Sequence, residues 1–264
     1  VSDHSSVHGS AHSPVNSAYE RGVTTLTLDS PHNRNALSTR LVAELREGLA
    51  RAADDADTRA VVLTHTGTTF CSGADLTEPA PTGPEAPATG PEALVGLLRT
   101  VVELPKPVVA VVRGHVRAGG LGLVGACDIA LADETSTFAF TESRIGLAPA
   151  VISLPLLPRL DPRAASRYYL TGERFDAAEA ARIGLITGAT SAVDVPLEAI
   201  LDGLRRASPQ GLAESKRLVT AEVLRAFDRD AAELAERSAR LFASAEAREG
   251  MAAFLEKRDP AWAR

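Results

Sequence analysis

Between positions 114 and 128 the chain reads GHVRAGGLGLVGACD, directly after the apolar run Pro107 to Val112 (PVVAVV). An uninterrupted apolar run ending in a glycine-dense turn, then more apolar residues, describes a buried strand that feeds a loop and a closely packed helix. Gly119 and Gly120 carry no side chain that could hold a ligand away from the backbone, and the following helix adds the positive end of its dipole. The turn is therefore suited to an anion or a polarised carbonyl oxygen, and the rest of the fold has to be built around it.

Within the same stretch Gly120, Gly122 and Gly125 spell G-x-G-x-x-G, the pattern of a dinucleotide-binding turn. That motif begins where its strand ends and needs an acidic residue about 20 positions later. Here the strand stops well before Gly120, and the later glycines fall inside an apolar helical run, where they serve close packing. No Lys-Ser or Lys-Thr follows the glycines, so a phosphate-cradling Walker loop is excluded.

A chain of 264 residues, 45% hydrophobic and 23% charged, has the composition of a globular protein with a sizeable core. Its formal net charge of −6 argues against a broad basic surface for nucleic acid or an anionic membrane. No apolar run approaches the ~20 residues that span a bilayer. Cys71 and Cys127 lie in apolar or glycine-rich surroundings without metal-ligand spacing, as reduced core thiols of a cytoplasmic protein would. No metal and no separate cofactor is implied.

Residues 1–18 are rich in Ser and His and lack apolar periodicity, which predicts a disordered tail. His4, His8 and His12 would align on a helix, but Gly9, Ser10 and Pro14 oppose one. Val23 to Asp29 alternates like a strand, and Ser38 caps a helix with Leu41, Val42, Leu45 and Leu49 on one face. Ala60 to Leu63 reads as a buried strand, followed by a second glycine loop, Gly67 to Leu76, entering a helix. Residues 77–91 (TEPAPTGPEAPATGP) cannot bury a core of their own and form a surface loop, either a lid or a tolerated insertion. Glu92 to Glu103 is amphipathic, and Pro105 and Pro107 stop it. From Asp161 the pattern turns helical, with Asp176 and Ser208-Pro209 as helix starts and amphipathic spacing to about Lys257. The chain is thus of α/β or α+β class rather than a barrel, with strand–strand–helix units running to about residue 200 from residue 19 and a helical region over 201–264.

Six stretches carry a family resemblance: NRNAL at 33–37, FCSGADL at 70–76, GHVRAGGLGLVGACDIA at 114–130, FAFTESRIGLAPAVIS at 138–153, LTGERFDAAEAARIGL at 170–185 and FLEKRDPAW at 254–262. In this order and spacing they resemble the crotonase, or enoyl-CoA hydratase/isomerase, superfamily over roughly residues 20 to 262. The resemblance implies a superhelix of ββα turns, a C-terminal helical region for trimer contacts, and trimers that pair into hexamers. It implies an acyl-CoA substrate whose thioester oxygen lies between the backbone N–H groups of Ala74 and Gly119. It also places Arg34, Asn35, Ala36 and Leu37, with Ser72, Asp75 and Leu76, along the CoA moiety. Arg34 would pair with a CoA phosphate, and Lys257 or Arg258 would add charge from a neighbouring subunit.

Hydratases of that superfamily often use two glutamates. By position the first falls on Gly122, so that acid is absent here; the second is Glu142, expected as general base and acid. Burial beside a thioester should raise its pKa toward neutrality, which suits proton transfer. IGLAPAVIS followed by RYYLTGERFDAAEAARIGL looks most similar to a bacterial branch that includes 3-methylglutaconyl-CoA hydratase-like enzymes, in which the first acid can also be missing. Three activities stay open: hydration of a 2-enoyl-CoA, Δ3,Δ2-enoyl-CoA isomerisation, and acyl-CoA binding without turnover. A Cys71 nucleophile served by His65 or His115 is disfavoured, because no nucleophile elbow or ordered Cys-His pair is present. Side chains near Val116, Ile145 and Pro149, with the 77–91 loop, would set the acyl pocket.

Overall fold

The chain begins its ordered path with a hairpin. In the computed structural model, which describes residues 12–78 and 90–263, β1 (Val15–Glu20) pairs antiparallel with β2 (Val23–Leu28). Arg21 and Gly22 between them both hold positive φ, 48° and 81°, as a two-residue hairpin of this twist requires. The predicted tail boundary at residue 18 is therefore corrected to before Val15. Every β1 residue after Val15 is exposed, so this edge strand has no buried face to print a pattern in the sequence. His4 and His8 lie outside the described residues, and His12 contacts Asp29.

After a 3-10 turn at Pro31–Asn33, Ser38 accepts the Leu41 N–H (3.2 Å) to cap α1 (Thr39–Asp54), which buries the predicted leucine face. The path continues through β3 (Ala60–His65), β4 (Thr69–Cys71), α2 (Pro91–Glu103), β5 (Val108–Val112), β6 (His115–Arg117) and α3 (Gly119–Ala126). Next come β7 (Ile129–Asp133), β8 (Thr137–Ala139), a 3-10 turn at Glu142–Ile145, α4 (Ser153–Leu156), α5 (Pro162–Thr171), β9 (Phe175–Asp176), α6 (Ala177–Arg182) and β10 (Gly188–Thr190). Four helices close the chain: α7 (Asp194–Arg206), α8 (Pro209–Val219), α9 (Ala221–Phe242) and α10 (Ala245–Glu256). One expectation fails here: residues 72–78 form turns and not a helix entry, and the loop proposed as a lid falls largely on 79–89, outside the described residues.

The strands form two sheets among the described residues, one ordered β1-β2-β3-β5-β7-β10 and a smaller one ordered β4-β6-β8-β9. From β2 to β10 the large sheet is parallel and covered on both faces. Alternation along β3 shows the division: Val61 and Leu63 face the main core under α1, α2 and α3, while Ala60 and Val62 face a second cluster capped by Val193 and Leu201 of the α7 region. Each ββα turn thus returns the chain to the same sheet edge, in the α/β superhelix that the sequence anticipates. No helix among the described residues is long and apolar enough to cross a membrane, and no group of His, Cys, Asp and Glu among them could hold a metal ion.

Candidate active site

The small sheet assembles the site. β4, β6 and β8 lie side by side and parallel, with Cys71, Val116 and Phe138 in register. Parallel strands deliver their C-terminal loops to one edge, where ligands bind in α/β folds. Continuing from that common register, the chain reaches Ala74 after β4, Gly119 after β6 and Glu142 after β8. Three residues far apart in sequence are placed at one sheet edge by topology alone.

The first two loops touch. A Cβ on Gly73 would lie 2.8 Å from the Ala118 Cβ and 3.5 Å from the Gly119 nitrogen, and the residue holds φ +96°. A side chain there is excluded twice over, by space and by backbone conformation. Ala118 holds the rare pair φ 45°, ψ −121°, with its N–H bonded to the Ala139 carbonyl at the end of β8 (3.2 Å). Such strain persists only where the surroundings impose it. The Ala74 and Gly119 N–H groups meet no acceptor among the described residues, although Leu37 bonds back to the Gly73 carbonyl at 2.8 Å. Gly119 opens α3, so its N–H is one of the donors a helix leaves free at its start.

Glu142 stands at the first position of its 3-10 turn and is 8% exposed. Its Oε2 is buried without a hydrogen-bond partner. Burial pushes the carboxyl up to about 7, only partly opposed by a backbone hydrogen bond. Around it stand Phe140, fully buried, and Tyr169, whose ring lies 4.6 Å from that of Phe140. Burial also raises the Tyr169 phenol, with the Glu142 charge adding to the effect. Ser153 Oγ lies 3.4 Å from the phenol oxygen. Among the described residues, no second carboxylate contributes to the environment of Glu142.

At the position where a second acid was sought, Gly122 faces Ile152. A Cβ on Gly122 would come within 2.5 Å of Ile152 Cγ2 and 3.3 Å of Leu98 Cδ1, so apolar side chains fill that room. The neighbouring nucleophile candidates are each held in other surroundings. Cys71 is fully buried against Gly120 and its thiol is pushed up to about 12 by burial. His65 uses both ring nitrogens, on the Thr66 carbonyl and the Arg113 N–H, and burial lowers its pKa. His115 contacts Thr137 on an exposed edge.

The residues expected along CoA divide into two groups. Arg34 is exposed, holds φ 59°, and has no ion-pair partner among the described residues. Its carbonyl accepts the Ser72 N–H at 3.1 Å, which stitches the two loops together. Ser72 and Leu76 are half-buried on the same rim, while Ala36 is buried beneath it. Leu37 reaches Gly119, where a Cβ would lie 3.0 Å from Leu37 Cδ1. Asn35, however, points inward. It is fully buried, accepts the Ser30 N–H (2.7 Å) and donates to the carbonyls of Thr66 (3.1 Å) and Thr69 (2.8 Å). Its side chain shapes the loop and is not available to a ligand, a correction to its expected contact. Asp75 is likewise occupied, by Thr77 on one oxygen and Asn33 on the other. At the C-terminus Arg258 is committed to Glu249 and Glu256, whereas Lys257 is exposed without an ion pair among the described residues.

Sequence reasoning assigned no role to Tyr169, which lies outside the six stretches that carry the resemblance, or to Ile152 and Ser153, which end one of them. It also missed the seat of α10 on the Glu142 turn, where Gly250 lies against Ile145 and Gly146 against Glu246. Only the two glycines, 104 positions apart, hinted at that approach.

The family model for enoyl-CoA hydratase/isomerase matches residues 18–264. The chain is 33% identical to the mitochondrial enoyl-CoA hydratase domain-containing protein 3 of Danio rerio, over 91% of this chain and 84% of that one. It is 34% identical to the 1,2-epoxyphenylacetyl-CoA isomerase of Escherichia coli, over 91% and 95%. The crystal structure of an enoyl-CoA hydratase from Mycobacterium avium is similar at 54% identity and a TM-score of 0.86, covering 96% of this chain and all of the other. Strand order, site geometry and these matches agree: the chain belongs to the enoyl-CoA hydratase/isomerase, or crotonase, superfamily, as an enzyme acting on acyl-CoA substrates.

Proposed function

We propose that this chain catalyses the reversible syn addition of water to a 2-enoyl-CoA, with Glu142 as its single acid and base. The observation that carries the reading is a buried carboxyl, pushed up to about 7 and with Oε2 unpartnered, at the same sheet edge as two N–H groups that meet no acceptor among the described residues. In the reaction the Ala74 and Gly119 N–H groups hold the thioester oxygen as charge builds on it, an arrangement worth roughly 3–4 kcal/mol per donor in related chemistry. The Glu142 carboxylate removes a proton from water as the oxygen bonds to C3. It then returns a proton to C2, so that the elements of H–OH are added across the double bond and the carboxylate is regenerated. Arg34 and the rim at Ser72 and Leu76 hold the CoA portion, with Lys257 contributing from a second subunit.

A second reading is favoured by one observation, the apolar filling of the Gly122 position by Ile152. With no second acid to hold a water, a lone glutamate can instead carry a proton between C4 and C2 of a 3-enoyl-CoA. Incubation with crotonyl-CoA and with a 3-enoyl-CoA separates the two. Loss of the conjugated-enoyl absorbance from the first, without conversion of the second, is the expected result. Conversion of the 3-enoyl ester alone establishes the isomerase, and tight binding without turnover of either rejects both.

The subunits assemble as a homotrimer or a pair of trimers in the cytoplasm. Supporting this are large apolar side chains left in the open late in the chain, including Leu218 (80% exposed), Phe254 and Leu255. Light scattering should give three or six times the 27.6 kDa subunit mass, and a monomer mass would reject the assembly.

A further inference from the structure

At the opposite end of α3 from Gly119, about 12 Å along the helix, a second cavity of about 210 Å³ is lined by Gly125, Asp128, Ala130, Arg159, Gly184 and Thr187. Its charges do not cancel. Asp128 Oδ2 receives the Lys216 ammonium at 2.7 Å and the Val108 N–H at 2.7 Å, leaving Oδ1 unpaired. Lys216 also donates to the Val101 and Lys106 carbonyls, at 2.9 and 3.1 Å, so this pair is locked and neutral as a unit. Arg159 adds a second cation, which the Asp128 carboxylate already shared with Lys216 opposes only through space. Its Nε and Nη2, the two donors along one edge of the guanidinium, are both buried and both without a partner. The Cys127 thiol nearby is held neutral, pushed up to about 12 by burial, and cannot supply the missing charge.

A buried arginine edge with two parallel N–H groups is the shape that a carboxylate fills with both oxygens. The backbone of Arg159 is itself closely packed there: Gly184 sits at φ +83°, and a Cβ on it would press to 2.7 Å on the Arg159 carbonyl. We propose that this cavity binds a small monovalent carboxylate, held bidentate by Arg159. The site is separate from the thioester site and does not depend on which reaction the latter performs. The carboxylate comes either free from solution or from an acidic side chain of a second copy of this chain.

Sodium formate distinguishes these sources. Titrated at constant ionic strength, formate should raise Tm saturably by about 2 °C or more if the carboxylate is free. Arg159→Lys, which keeps the charge and loses the bidentate edge, should weaken that response at least tenfold. If a second copy supplies the group, formate leaves Tm unchanged in the wild type while Arg159→Lys lowers the assembly mass. Absence of both a formate response and a mass change would overturn the proposal.

Discussion

Glu142→Gln is expected to lower kcat by roughly 10²–10⁴-fold, the usual worth of a positioned acid–base group, with KM for the CoA ester little changed. The substitution keeps the size of the side chain and removes only its capacity to carry a proton. In the wild type, kcat/KM should rise with pH through about 7 as the carboxyl ionises, and this inflection should vanish in the variant. Stability should move the other way. The folded pKa of Glu142 lies above its unfolded value near 4.5, so below pH 4.5 both states are protonated and the group is neutral toward folding. Between pH 4.5 and 7 only the unfolded state ionises, and wild-type stability falls; above 7 the loss is complete. Glu142→Gln lacks that loss and should melt higher than the wild type at pH 8, provided the amide is accommodated as the acid is. Full activity in the variant, or a wild-type melting curve with no such fall, would show that this carboxylate is not the proton carrier.

Gly122→Glu should fail to install a second acid. The new Cβ would enter the space held by Ile152 Cγ2 and Cβ, at 2.5 and 2.8 Å. Overpacking of this kind costs about 1–3 kcal/mol, and a buried carboxylate without a partner adds several more. A chain of this size loses roughly 2–4 °C in Tm per kcal/mol, so a drop on the order of 10 °C, or insoluble protein, is expected. Ile152→Ala combined with Gly122→Glu should recover part of the loss, because it returns the room. A single Gly122→Glu variant that melts like the wild type would show that Ile152 does not occupy this position.

The parts of the site that could be read from sequence are those where backbone geometry demands a residue type. Gly73 and Gly119 are legible because no side chain fits where the two loops meet, and the leucine face of α1 because burial has a helical period. Glu142 is legible only through its neighbours in a motif, since a lone glutamate after a strand is ordinarily a surface group. Asn35 shows the limit of that method. It lies in a recognisable stretch, yet its three hydrogen bonds run to Ser30, Thr66 and Thr69, partners that a linear reading cannot join. Ile152 is hidden for a related reason: which apolar side chain fills the room beside a glycine is decided by packing between α3 and α4. The first strand leaves no periodic mark in the sequence because only its opening residue is buried.

The turn that carries Glu142 is braced from behind by the last helix, through backbone contact at Gly146 and Gly250 with no side chain between. The position of Glu142 therefore depends on how α10 is seated, and any contact made by the exposed Phe254 and Leu255 of that helix would be felt at the turn through main chain alone.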